Sequence, residues 1–260
     1  MDLGLQGQSV LITGASKGIG AGTARAFACE GCHLHLVARN GDALDEVAAD
    51  IRAAHKVDVR SHAVDLSVSA NLAPLVDACG EIDVLINNAG NIPAGTLEEI
   101  DEQAWREGWE LKVFGYINLT RLVYARMKAR GRGVIINDIG NAAERLDVQY
   151  LAGSTGNAGL VAFTRALGGR SLDDGIRVLG INPGMVQTDR MEKLLKARAR
   201  EWYGDEDRHP ELLDRYPLGR GATVEEVADL LVFLASPRSS YTSGCVITID
   251  GGVSARQSIV

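Results

Sequence analysis

Positive charge is in short supply in this chain: 27 Lys and Arg stand against 34 Asp and Glu, for a net charge of -7. A nucleic-acid surface needs a concentrated basic face to meet phosphates, so no nucleic-acid partner is expected and any anionic ligand must be met by local groups. Long apolar runs are missing too. None approaches the ~18 residues needed to span a bilayer, and the N-terminal MDLGLQGQS has neither a basic start nor the apolar stretch of a secretion signal. A cytoplasmic protein with no membrane partner is expected. No Pro/Gly/Ser-rich linker, internal repeat or low-complexity tract interrupts the 260 residues, which favours one α/β domain over two small ones. Cysteine is sparse. Cys29 and Cys32 form a CxxC, but no second CxxC and no His pair at ligand spacing accompanies it. The pair is read as core packing at the end of a helix and the start of a strand, and no metal is expected.

Hydrophobic residues make up 46% of the chain and glycine occupies 30 positions, the composition of a globular protein with many tight backbone turns. The runs SVLITGA, HLHLVAR, VRSHAVD, IDVLINNAG, GVIINDIG, IRVLGINPG and CVITIDGG are short and apolar or β-branched, and read as buried strands. Longer stretches between them, such as GIGAGTARAFACEG and NLTRLVYARMKARG, carry apolar residues at helical spacing. This alternation predicts a single-domain, Rossmann-type, doubly wound parallel α/β sheet over residues 1–260. About seven strands with helices on both faces are expected, and ligands bound beyond the carboxyl ends of the strands.

Residues 13–20, TGASKGIG, follow the first strand and open the first helix, with glycines at Gly14, Gly18 and Gly20. Small residues let the backbone pass close to a pyrophosphate, and the helix N-terminus offers unpaired N–H groups and partial positive charge. With Asn87-Asn88-Ala89-Gly90 after the fourth strand, Asp65-Leu66 after the third, Asn182-Pro183-Gly184 with Thr188 after the sixth, and Asp250-Gly251-Gly252 near the end, the chain resembles a short-chain dehydrogenase/reductase almost from end to end. The resemblance implies a dinucleotide held by Gly14, Ser16, Lys17, Gly18, Ile19 and Gly20. It implies Asp65 and Leu66 at the adenine, Asn88, Ala89 and Gly90 along the adenosine ribose, and Pro183, Gly184, Val186 and Thr188 at the nicotinamide carboxamide. At the end of the second strand a carboxylate would accept from a 2′-OH and repel a 2′-phosphate. Ala38 and Arg39 stand there, with Lys17 nearby, so NADP(H) is preferred over NAD(H).

In the family that the chain resembles, a Tyr transfers the substrate proton, a Lys four residues later activates it, a Ser thirteen residues before the Tyr orients the carbonyl, and an upstream Asn completes a relay. The corresponding positions here are Gly153, Asn157, Gly140 and Lys112. Two of these differences are one event: Lys stands where Asn is expected, and Asn where Lys is expected. An ammonium would then reach the site from the other helix, and a buried cation near a phenol favours the phenolate. The candidate phenol is Tyr150, one helical turn before Gly153, which would leave room for its ring. Ser154 or Thr155 offers a hydroxyl, and Asn137, Asp138 or Asn141 a further polar contact. The catalytic candidates are therefore Tyr150, Lys112, Asn157 and Ser154. The competing readings are a packing aromatic for Tyr150 and a surface lysine for Lys112.

Residues 187–216 form a long excursion that the resemblance identifies as a substrate lid. Arg190, Lys193, Lys196, Arg198 and Arg200 make its first half basic, which suggests an anionic substrate or a carrier such as coenzyme A, although Glu192 and Glu201 could balance a solvated face. Two functions are consistent with these residues. One is an oxidoreductase interconverting an alcohol and a carbonyl through a rearranged site. The alternative is a non-catalytic NADP(H)-binding protein, a sensor or assembly partner. The resemblance also implies a homotetramer or homodimer.

Overall fold

Seven strands are present in the computed structural model, which describes residues 2–256: β1 (Ser9–Thr13), β2 (His33–Ala38), β3 (Val59–Ala63), β4 (Val84–Asn87), β5 (Gly133–Asp138), β6 (Ile176–Pro183) and β7 (Val246–Ile249). All pair in parallel in one sheet of order β3-β2-β1-β4-β5-β6-β7. Every residue of β4 and of β6 is buried, because a parallel sheet covered on both faces cannot alternate polar with apolar residues. The order reverses between β1 and β4. There the connecting helices leave toward opposite faces, and the strand ends open a crevice.

The helices are α1 (Gly18–Cys29), α2 (Gly41–Ala54), α3 (Leu72–Cys79), α4 (Glu102–Trp109), α5 (Gly115–Arg130), α6 (Leu151–Gly168), α7 (Asp189–Tyr203) and α8 (Val224–Ala235). α1, α2 and α8 bury Phe27, Leu44 and Leu231 on one face of the sheet. α3 and α5 bury Leu75, Leu119 and Met127 on the other, and Leu160 of α6 packs there with Tyr116 and Ile139. Local signals agree with these bounds. Thr223 and Glu226 form a reciprocal capping box on α8, and Gly131 ends α5 in the left-handed region, at φ 67. α4 and α5 form one helical rod interrupted by a π turn, Glu110–Phe114.

Arg177 on β6 is buried at 7% exposure and donates to four carbonyls, those of Leu234, Ala235, Ser236 and Ser239. It therefore caps the C-terminus of α8, where unpaired carbonyls carry partial negative charge; burial lowers the guanidinium to about 10. The predicted lid is a unit of its own. α7 and a 3₁₀ segment, Glu206–Arg215, bury Met191, Leu195, Ala199 and Leu212 against each other, and a Val186–Ala222 bridge closes its base. The CxxC needs one correction. Cys32 is buried and its thiol donates to Leu5 O at 3.3 Å, but Cys29 is exposed, so only one of the pair is core. No helix among the described residues is long and apolar enough to cross a membrane.

Candidate active site

At the switch point the ends of β1 and β4 are tied together through Thr13 and Asn88. Thr13 Oγ1 accepts from the backbone N–H of Asn88 and of Ala89 at 2.8 and 3.0 Å. The Asn88 amide returns both hydrogens, to Thr13 O at 2.7 Å and Gly14 O at 3.2 Å. Asn88 therefore first sets the glycine loop. Gly14 has φ +68, and a Cβ there would sit 2.7 Å from Asn88 Nδ2; a Cβ on Gly20 would run into the Gly14 carbonyl. The loop approaches the strand more closely than any side chain permits, and a diphosphate fits the cradle left at the N-terminus of the 12-residue α1. Thr188 overhangs it, with Cγ2 3.3 Å from the Cβ position of Gly18.

Beyond β2, Arg39 is exposed and lines a 520 Å³ cavity with Ser67 and Asn91. The Asp65 carboxylate accepts from Ser67 Oγ at 2.7 Å and Ser67 N at 3.0 Å; chiefly these bonds, and more weakly Arg39, hold it below the usual carboxylate range. Leu66 and Val186 are buried at 6% and act as packing supports.

The reaction end forms where the π turn meets the loop after β5. Lys112 lies within the π turn, a local widening that turns a side chain out of the regular helical face. Its Nζ donates to Ile139 O at 2.7 Å and lies 5.8 Å from the Tyr116 ring centroid. Gly90 makes room for its stem, since a Cβ there would come within 2.7 Å of Lys112 Cδ. From α6, buried Asn157 donates to Gly140 O at 3.4 Å. The exchanged Lys and Asn thus meet consecutive carbonyls, 139 and 140. Asn157 Oδ1 is buried without a hydrogen-bond partner among the described residues, an acceptor facing no donor of the protein.

Burial pushes Lys112 down to about 8, opposed by the nearby carboxylate of Asp138 and assisted by Arg190. Burial likewise pushes Asp138 up to about 6, opposed by Lys112. Of the three polar candidates at the end of β5 and just beyond it, Asp138 is therefore the electrostatic partner. Asn137 belongs to a buried structural network with Asn87 and Thr164, and Asn141 donates to Asp250 at 3.3 Å.

Tyr150 precedes the first turn of α6 with its ring folded over Gly153. Any side chain on Gly153 would overlap the ring at Cε1 and Cζ. The Tyr150 phenol is also near enough to Tyr116 to contribute, after burial and Asp138, to raising that phenol well above its usual range; Tyr116 Oη donates to Asp138 O at 2.9 Å. Tyr116 was not singled out in the sequence, although its spacing of one turn from Lys112 was a usable signal. Ser154 also has a structural contact. Buried at 4%, its Oγ accepts from Asp147 N at 3.3 Å, so it holds the turn before Tyr150. The preceding residue is pinned twice, with Gly95 N donating to Gln149 O at 2.7 Å and Arg198 of α7 to Gln149 Oε1 at 3.0 Å.

Most basic groups of the lid are already occupied. Lys196 pairs with Glu192, Arg198 with Glu201 and Arg200 with Glu206, whereas Arg190 and Lys193 form no ion pair among the described residues. Arg190, in the first turn of α7, is the one within electrostatic reach of Lys112.

The chain as a whole has relatives of known chemistry. A family model described as Enoyl-(Acyl carrier protein) reductase matches residues 14–254. The 2-keto-3-deoxy-L-fuconate dehydrogenase of Xanthomonas campestris pv. campestris is 33% identical, over 95% of this chain and 80% of its own. The galactitol 2-dehydrogenase (L-tagatose-forming) of Cereibacter sphaeroides is also 33% identical, over 95% of both chains. Among solved structures, L-sorbose reductase from Gluconobacter frateurii, complexed with NADPH and L-sorbose, superposes with a TM-score of 0.92 at 34% identity, covering 99% of this chain and all of its own.

Proposed function

The chain belongs to the short-chain dehydrogenase/reductase family, and on that premise we propose that it is an NADP(H)-dependent oxidoreductase whose proton relay runs through Tyr150 and Lys112 in place of the family's usual Tyr and Lys. The observations behind this reading are the Tyr150 ring folded over Gly153 and a buried ammonium, that of Lys112, anchored on Ile139 O. The glycine loop and the Pro183–Thr188 segment would hold NADP(H), which would supply or accept the hydride. The residues of the chain handle the proton. In the reductive direction Tyr150 Oη gives its proton to the carbonyl oxygen, and Lys112 stabilises the phenolate left behind. A lysine brought down to about 8 is also able to pass a proton on near neutral pH. Asp138 keeps that lysine charged, and Asn157 Oδ1 offers an acceptor to a substrate hydroxyl or a relay water.

NADP(H) is the preferred dinucleotide because Arg39 and Lys17 are exposed at the 2′ end and no acid stands at the end of β2. The substrate we favour is a small hydroxy or keto compound bearing a carboxylate, met by Arg190. A relative whose name is that of a sugar-acid dehydrogenase supports this choice. Assembly through the α4–α5 face is supported by exposed Leu97 and Phe114, which with Trp105 and Trp109 line a 580 Å³ apolar hollow; a homotetramer or homodimer is expected.

The test is NADPH oxidation with 5-ketogluconate and with L-sorbose as probes. Turnover of either that is lost in Tyr150→Phe with NADPH affinity intact supports the relay. If Arg190→Gln raises KM for the keto acid and leaves the ketose unchanged, the anionic preference holds. NADPH binding with no turnover of any carbonyl would favour a non-catalytic binding protein instead.

A further inference from the structure

Beneath the adenosine end of the crevice, three potential metal ligands converge from distant parts of the chain. His35 on β2 and His62 on β3 lie on neighbouring strands, with Val37 as the register partner of His62. Cys79 is the last residue of α3. His35 Nδ1 and His62 Nε2 are 3.0 Å apart, Cys79 Sγ is 3.8 Å from His62 Nε2, and all three donor atoms fall within 4.8 Å of one another. His35 and Cys79 are 7% and 5% exposed, while His62 is only partly buried.

We propose that His35 Nδ1, His62 Nε2 and Cys79 Sγ form a binding site for one zinc(II) ion, with a water molecule as fourth ligand. Bonds of about 2.0–2.1 Å to nitrogen and about 2.3 Å to sulfur place donors on a tetrahedral ion roughly 3.3–3.6 Å apart. The separations of 3.0 and 3.8 Å to His62 Nε2 bracket that range, and the third, His35 Nδ1 to Cys79 Sγ, is within 4.8 Å. A thiolate with two imidazoles also suits zinc and disfavours the hard, oxygen-seeking cations.

The protonation states fit. Burial drives His35 down to about 4 and lowers His62 as well, so both rings are neutral near pH 7, as ligands must be. Without the ion the rings, 21° from coplanar, face each other across one N–H. On binding, that proton moves to the other nitrogen of its own ring, and each ring turns to converge on the metal. The Cys79 thiol, which burial holds up at about 12, releases its proton to solvent. One proton leaves per ion. Arg126 and Arg60 lie near enough to favour the thiolate, while also limiting the affinity for a dication.

The ion would join the edge strand β3 to β2 and to α3. His62 lies three residues before Asp65 and His35 four before Arg39, so the site would stiffen the segments that receive the adenosine 2′ end.

Cobalt(II) titration of the intact protein tests the assignment, because a thiolate ligand gives a near-ultraviolet sulfur-to-cobalt charge-transfer band. The band is expected to saturate at one equivalent, to be bleached by zinc, and to vanish in Cys79→Ser. Zinc affinity should fall by roughly 100-fold or more in that variant, and the rise in Tm that zinc gives the unaltered protein should be lost. Cys29→Ser is the control, since Cys29 Sγ lies 3.8 Å from His55 Nε2 at the surface and is the other Cys–His pair able to catch a metal. If Cys79→Ser does not fold, His62→Gln on the edge strand replaces it, with the same loss of zinc affinity expected. No charge-transfer band at a large excess of cobalt, or a band that survives Cys79→Ser or disappears in Cys29→Ser, overturns the proposal.

Discussion

The ring of Tyr150 fills the volume that a side chain on Gly153 would need. In the proposed relay, Gly153 is thus the residue that admits the phenol from one turn earlier.

Gly153→Ala should consequently act at a distance, by pushing the ring aside. We expect turnover to drop by about 10²–10⁴, the range for loss of a general acid, in both Gly153→Ala and Tyr150→Phe, with NADPH affinity unchanged. Steady-state kinetics beside dinucleotide titration checks this; a fully active Gly153→Ala would mean that the ring contributes nothing to the proton transfer.

Lys112, brought down to about 8 by burial, predicts a high-pH limb for carbonyl reduction. Activity should fall as pH rises through about 8 and the ammonium loses its proton, and Lys112→Met should remove that limb along with most of the rate. A profile in the unaltered enzyme that stays flat through about 8 would contradict the role of the lysine.

Dinucleotide choice should rest on Arg39. A charge-assisted contact to a 2′-phosphate contributes roughly 1.5–3 kcal/mol, or about 10- to 150-fold in affinity. Arg39→Asp is expected to reverse the preference for NADPH over NADH, measured by fluorescence titration of both. Equal affinities before substitution would remove the basis for the assignment.

Stability, by contrast, should be sensitive at Arg177, far from any chemistry. Arg177→Met leaves the carbonyls at the end of α8 without their shared donor, and unpaired buried acceptors cost about 1–3 kcal/mol each when no water reaches them. A loss of roughly 3 kcal/mol in urea unfolding is expected, with the catalytic constants of the remaining folded protein unaltered.

The fold was legible because its signals are local. Each of the seven strands was a visible apolar run closed by a turn, and the glycine loop stood in its strand-to-helix context. The structure adds to the sequence reading of Lys112 and Asn157 that both are anchored on neighbouring carbonyls, those of Ile139 and Gly140. What was hidden depends on tertiary placement. Asn137, Asp138 and Asn141 are equally polar in sequence, and only the packing shows Asn137 spent on Thr164, Asn141 on Asp250, and Asp138 facing the lysine. That Ser154 Oγ also accepts from the N–H of Asp147 is likewise a tertiary contact with no signal in the sequence. Convergence of residues 35, 62 and 79 follows from strand register and the length of α3, neither of which spacing along the chain reports.

The π turn at Glu110–Phe114 has a mechanical meaning for the rod that contains it. Before the turn, Trp109 Nε1 holds Ala152 O at 2.9 Å; after it, Tyr116 Oη holds Asp138 O at 2.9 Å. Those two attachments belong to different partners, α6 and β5, and the widened turn is the phase adjustment that lets one continuous helix engage both. Deleting a single residue there would rotate one attachment about 100° relative to the other. The length of this segment is thus as strictly specified as any side chain in the site, and an alignment gap within it would mark a relative whose lysine cannot reach the same carbonyl.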